Sequence, residues 1–281
     1  MKSLTYIPDR AAEIRSLFDT SGHCLEIGPS YNPLLPKADG FSVKTVDYCD
    51  AADLRSKYKD HPDVDESKIE DVDYVWQGEP LSTLVDQSKF DIVVASHVIE
   101  HTPDMLGFLI ECEKLLSPNG QLVLVVPDRR RCFDFFRPAS TTGSVLQAYF
   151  ESRQRHTAGS AFDFIANYTN LKPSSPEAPA GTFTLPNDVV AAMRGCERFR
   201  EASGYKDCHA WVYTPSSFRL VVSDLFNVGL LKLCEVDFWE TPIFEFVSIL
   251  SREGSGCPLE RAALLNAAHQ EAALPVAPSP D

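Results

Sequence analysis

The segment Ser96-His97-Val98-Ile99-Glu100-His101 brings two imidazoles and a carboxylate together within five residues, directly after the apolar run FDIVVA. Opened as a helical turn, it would set His97, Glu100 and His101 at i, i+3 and i+4, on one face. Such a set offers divalent-metal ligands, general acid–base groups, or only the polar start of a helix. A further histidine, His209, stands in KDCHAWVYTPSSF, ahead of another helical pattern. In the segment PDRRRCFDFFRP, Asp128 is followed by Arg129, Arg130, Arg131 and Arg137. Guanidinium forks match carboxylate and phosphate oxygens, so Arg131, Arg137 and the nearby His156 are candidate contacts for an anionic acceptor, with Asp128 and Trp211 as further substrate candidates. The alternative is a solvated turn with internal salt bridges. Phe133, Phe135, Phe136 and Trp211 either stack on sugar faces or seal this segment onto a core.

These residues need a frame, and apolar runs supply one. Strands are expected at 23–28, 43–47, 72–76, 90–95 and 121–127, then 230–239 and 244–252. Helical patterns fall between them, at 51–59, at 102–116 with Thr102 as N-cap, and at 214–229. Strands alternating with helices predict an α/β protein, a doubly wound and mostly parallel seven-stranded sheet ended by an antiparallel pair. Residues 128–206 break the rhythm and read as an inserted cap between the fifth strand and the last core helix, with helices at 142–154 and 187–201. A Pro/Ser/Ala-rich loop, KPSSPEAPAGT, joins those two helices. The core is then 1–127 with 207–255. Residues 256–281 form a C-terminal extension whose last residues are expected to be disordered.

In an open parallel sheet, ligands bind at the carboxyl ends of the strands. Here the first such end is Glu26-Ile27-Gly28-Pro29-Ser30-Tyr31-Asn32-Pro33, and the second is Asp47-Tyr48. Gly28 permits close approach to the backbone, and Asp47 can accept both hydroxyls of a ribose. A tight turn explains the same residues. Pro29, Pro33 and Pro36 stiffen the loop and disfavour a pyrophosphate seat, hence NAD.

The fragments LEIG, VDY, GEPL, FDIVVASHVIEH and LLSPNGQLVLVVP, in this order, resemble the class I S-adenosylmethionine-dependent methyltransferases over about residues 20–127 and 207–252. The resemblance implies a Rossmann-like methyltransferase fold with S-adenosyl-L-methionine as cofactor. By it, Glu26, Gly28, Pro29, Ser30 and Asn32 hold the methionine portion, and Asp47 and Tyr48 the ribose. Gly78 and Glu79 would flank the adenine, and Ser96 and His97 lie beneath the cofactor. A narrower likeness, to bacterial methyltransferases associated with polysaccharide assembly, implies O-methyl transfer to a sugar or glycan precursor. Small-molecule (quinone or phenol) O-methyl transfer and a catalytically silent cofactor-binding module are the alternatives.

Glu100, His101 and His209 also resemble the divalent-metal set of small-RNA 2'-O-methyltransferases and ubiquinone-pathway O-methyltransferases, with His97 where those have a glutamate. Metal binding with these four residues, a metal-free base at His209 oriented by Glu100 or His101, and purely structural roles all stay open.

The chain carries 40 acidic against 26 basic residues, a formal charge of -14. That balance argues against nucleic acid as the main partner. Its eight cysteines form no C-x-x-C pair, which fits reduced thiols and a cytoplasmic address. No run approaches a membrane span, and the oligomeric state is not encoded in any pattern.

Overall fold

The computed structural model describes residues 2–4, 9–85, 89–170 and 184–273. In chain order the elements are β1 (Lys2–Ser3), α1 (Arg10–Arg15), β2 (Cys24–Ile27), β3 (Val43–Asp47), α2 (Ala51–Tyr58), β4 (Tyr74–Val75), α3 (Leu81–Leu84) and β5 (Phe90–Ser96). They continue with α4 (Met105–Leu115), β6 (Leu116–Pro127), α5 (Thr142–Phe150), α6 (Ala158–Ala166) and α7 (Val189–Glu201). The last are α8 (Pro215–Asn227), β7 (Cys234–Glu240), β8 (Glu245–Ser251) and α9 (Arg261–Ala272).

The sheet runs β1-β7-β8-β6-β5-β2-β3-β4. From β4 to β6 every neighbouring pair is parallel, while β8 pairs antiparallel with both β6 and β7. All seven expected strands are present, and the two-residue β1 adds an eighth at the edge. Apolar side chains of β2, β5 and β6 supply both faces. One face packs against α4, α5 and α8 through Leu109, Val145 and Phe218; the other packs against α1 and the loop after β2 through Ile14, Leu34 and Leu35. Burial on both faces is why these strands read as continuous apolar runs.

Several local expectations change. The N-cap of α4 is Asp104, whose side chain accepts from Gly107 N–H; Thr102 instead closes the preceding turn by donating to Ile99 O at 2.8 Å. Strand β6 starts at Leu116, five residues before the expected 121, and its pairing with β5 shifts register between Phe90 and Ile92. Helix α5 buries Val145 and Ala148 in the main core, so residues 128–206 contribute to that core. Helices α6 and α9 carry no clear sequence signal. The second docks on α8, where Glu271 accepts from Ser216 N–H and Oγ–H. The Pro/Ser/Ala-rich loop and the final residues lie outside the described residues.

Candidate active site

The rim at the carboxyl ends of β2, β3 and β4 carries the expected cofactor residues. Gly28 has φ +71°, donates its N–H to Val46 O at 2.7 Å, and lies so close to Val98 that a Cβ would meet Cγ2 at 2.6 Å. Only glycine suits that position. Pro29 O accepts from Asn32 N–H at 3.0 Å, turning the loop back on itself. Ser30, at φ +49°, donates its N–H to Asp47 Oδ2, and Tyr48 N–H donates to Oδ1, both at 2.8 Å. Asp47 therefore ties the first strand end to the second, and each oxygen keeps a lone pair for a ribose. Tyr48 is 49% exposed, with Lys57 Nζ 4.6 Å from its ring centre. Gly78 (φ +104°) has open space where a Cβ would stand, and Glu79 accepts from Gln77 N–H at 2.9 Å.

Glu26 lies beneath this rim, with its side chain turned to the loop backbone. It is 1% exposed, and its oxygens accept the N–H groups of Leu34 and Leu35 at 2.7 and 2.9 Å. It anchors the loop from beneath. Burial pushes its pKa up to about 7, against the pull of those two donors.

At the next strand end, His97 adopts φ +55° and Nε2 lies 2.7 Å from Glu245 Oε2. Arg10 grips the same carboxylate with two bonds of 2.8 and 2.9 Å and donates to Ser96 Oγ at 2.8 Å. Burial alone would raise the Glu245 pKa; His97 and Arg10 together bring it below the usual range. Neither Arg10 nor Glu245 was visible as a site residue in sequence, since each is a lone charge far from the motifs it meets.

The left-handed His97 keeps the motif from opening as an α-helical turn. Instead Ile99–His101 forms one 3-10 turn. Glu100 O accepts from Ala210 N–H at 2.7 Å, which binds the His209 segment to this turn. The Glu100 side chain is 1% exposed, and both carboxylate oxygens are buried without a hydrogen-bond partner. His101 Nε2 lies 3.9 Å from Glu100 Oε1, and its Nδ1 lies 2.7 Å from Asp207 Oδ1. His209 Nδ1 lies 2.6 Å from Asp134 Oδ2. The two imidazole centres are 4.6 Å apart at 87°. Glu100, His101 and His209 each offer a ligand atom, all within 4.8 Å of one another. His97 stands outside this trio, with Nδ1 3.6 Å from Glu100 and Nε2 committed to Glu245.

Electrostatics follow from this crowding of carboxylates. Burial disfavours the charged form of His101, yet Asp207 and Glu100 hold its pKa above the ordinary value. Burial would likewise raise the Asp134 pKa, but His209 and Arg137 bring it below the usual range.

The arginine segment turns inward and makes internal bonds. Arg130 chelates Asp128 and reaches Glu240 at 2.8 Å. Arg129 donates to Phe135 O, and Arg131 to the carbonyls of Thr241 and Ile243. Arg137 donates to Asp134 Oδ1 at 2.7 Å and so braces the carboxylate behind His209. Trp211 is buried, its Nε1–H donating to Thr102 O at 2.6 Å. His156 is buried against Tyr205, and burial lowers its pKa to about 4, which keeps it neutral. Beside Arg137 lies a cavity of about 240 Å³ lined by Ser140, Thr141, Ser144, Ser160, Asp163 and Ala210, among others.

The family model described as "Methyltransferase domain" matches residues 4–167. The chain belongs to this family of methyltransferases, and S-adenosylmethionine is its cofactor. Over 114 residues it is 30% identical to a highly reducing polyketide synthase of Pyrenophora dematioidea, a match covering 41% of this chain and 4% of that protein. The chain thus corresponds to a small part of that relative's length. Among solved structures it is similar to a SAM-dependent methyltransferase from Aquifex aeolicus, at 10% identity, 86% and 88% coverage and a TM-score of 0.44. Another is the glycopeptide N-methyltransferase MtfA, at 21% identity, 44% and 56% coverage and a TM-score of 0.31. Among the described residues no helix is long and apolar enough to cross a membrane.

Proposed function

We propose that this protein transfers the methyl group of S-adenosylmethionine to a hydroxyl of a sugar or glycan precursor. When bound, the cofactor supplies an electrophilic methyl carbon on a sulfonium. The residues fitted to hold it are the Gly28–Ser30 loop, Asp47, Tyr48, Gly78 and Glu79, grouped on one rim. A hydroxyl acceptor must lose a proton as it attacks, and the His209–Asp134 pair is the observation that carries this reading. With Nδ1–H bonded to Asp134, the ring keeps its second nitrogen free for a proton, and the carboxylate compensates the charge that develops. The cavity beside Arg137 sets Ser, Thr, Asp and Arg side chains among Pro138, Ala139, Ala210 and Val212 and carries no aromatic ring, which suits a sugar better than a phenol.

A variant of the same reading is favoured by the two unpartnered oxygens of Glu100. Buried carboxylate oxygens are rarely left without partners, and a divalent cation between Glu100, His101 and His209 would satisfy them. Such a metal supplies Lewis acidity that lowers the pKa of a bound hydroxyl. The test is methyl transfer from S-adenosylmethionine to panels of nucleotide sugars, lipid-linked glycans, phenols and amines, with and without chelator. Turnover confined to phenols or amines overturns the sugar reading, and chelator-insensitive turnover of a sugar overturns the metal variant.

A further inference from the structure

The outer partners of the two histidines form a pattern of their own. His209 Nδ1 is held by Asp134 at 2.6 Å, and His101 Nδ1 by Asp207 at 2.7 Å. A carboxylate on Nδ1 fixes the Nδ1–H tautomer and leaves the Nε2 lone pair free, as in carboxylate–histidine–metal arrangements. Both carboxylates are themselves steadied. Asp134 is buried and bonded by Arg137, while Asp207 has a side chain 63% exposed and accepts from Tyr205 Oη–H at 2.9 Å. The same hydroxyl lies 2.9 Å from His101 O, so its single proton is shared between that carbonyl and Asp207 and ties the two together.

We infer that Asp134 and Asp207 are positioning residues that present two imidazole Nε2 atoms, with Glu100, to a divalent transition metal in preference to magnesium. The inference rests on the metal variant of the proposed function. Its selectivity follows from the donor set. Two neutral imidazoles and one carboxylate suit zinc, iron, cobalt or manganese, whereas magnesium requires oxygen ligands. The two positioning residues are unequal. Water can replace exposed Asp207 at His101, but nothing replaces buried Asp134 at His209, so loss of Asp134 weakens binding more.

Cobalt(II) titration of the full chain, read by calorimetry and by visible d–d absorption, tests this alongside S-adenosylhomocysteine binding. Wild-type protein is expected to bind one equivalent, undisturbed by equimolar magnesium. Asp134→Asn is expected to lose about 10–100-fold in cobalt affinity, with altered absorption bands. Asp207→Asn should lose about threefold to tenfold, below that range because solvent substitutes. Both variants should bind S-adenosylhomocysteine like wild type. Should Asp134→Asn fail to fold, the exposed Asp207→Asn carries the test alone. Wild-type cobalt affinity and spectra in the folded variants overturn the positioning roles while the metal variant stands. Displacement of cobalt by equimolar magnesium overturns the selectivity. No cobalt binding to wild type overturns both this inference and the metal variant, leaving His209 as the base.

Discussion

Gly28 and Val98 touch across the first and fourth parallel strand ends, with no room for a Cβ between them. A positive φ at Gly28 adds a second constraint. Gly28→Ala is therefore expected to destabilise the protein by about 1–2 kcal/mol from the left-handed backbone alone, and by more from the clash. Pairing it with Val98→Ala should recover the packing part and leave the backbone part. Thermal melts of both variants, with titration of S-adenosylhomocysteine, check the division.

Arg10 and Glu245 form a two-bond ion pair in which the acid is fully buried. Removing one partner of such a pair leaves a buried charge, at a cost of about 3–5 kcal/mol. His97 also contacts Glu245 and will soften that loss. Arg10→Met is thus expected to cost about 3 kcal/mol, and Arg10→Met with Glu245→Leu less than Arg10→Met alone. Denaturant unfolding of the single and double variants measures the difference.

Glu100→Gln should move two properties in opposite directions. The metal-free protein is expected to gain about 1–3 kcal/mol, since an unpartnered buried carboxylate is replaced by a neutral amide able to donate to an imidazole nitrogen. Metal-induced stabilisation should vanish. Differential scanning calorimetry with and without cobalt(II) reads both effects.

Glu26 gives a pH dependence of definite sign. Its folded pKa of about 7 exceeds the ordinary 4.5, so between those values the folded state holds a proton that the unfolded state has released. Stability from this group therefore falls as pH rises from about 4.5 to 7, by an amount on the order of 3 kcal/mol, and is flat above. Glu26→Gln should start lower, because Leu34 and Leu35 each donate to a different carboxylate oxygen and the amide sets an NH2 donor in place of one of them, and should show none of this slope. Melting temperatures across pH 5 to 8 test the comparison.

The seven strands and helix α8 were legible because local signals agreed with the fold. Alternating apolar runs gave the strands, and Thr214 with Ser217 forms the capping box that its sequence suggests. The cap of α4 was misassigned because Thr102 and Asp104 are both good caps, and only the tertiary fold spends Thr102 on the preceding turn. Residue type and motif singled out Glu100, His101 and His209 as a candidate set, and the fold brings their ligand atoms within 4.8 Å of one another. Their partners were not legible. Asp134 lies 75 residues from His209 and Asp207 lies 106 from His101, and no periodicity links such pairs. The bonds of the arginine segment were illegible for a related reason. A dense local charge says nothing about direction, and Arg130 turns to Glu240, 110 residues away.

Strand β8 enters the sheet antiparallel between β6 and β7, and its first residue is the Glu245 that Arg10 grips from 235 residues earlier. Until that hairpin inserts, β6 presents a bare hydrogen-bonding edge, the kind of surface that recruits other chains. The same insertion covers the edge and delivers the acid that meets His97 and anchors Arg10, which in turn donates to Ser96. Completing this rim therefore needs contacts 235 residues apart in sequence, and the pairing that makes them also covers the β6 edge.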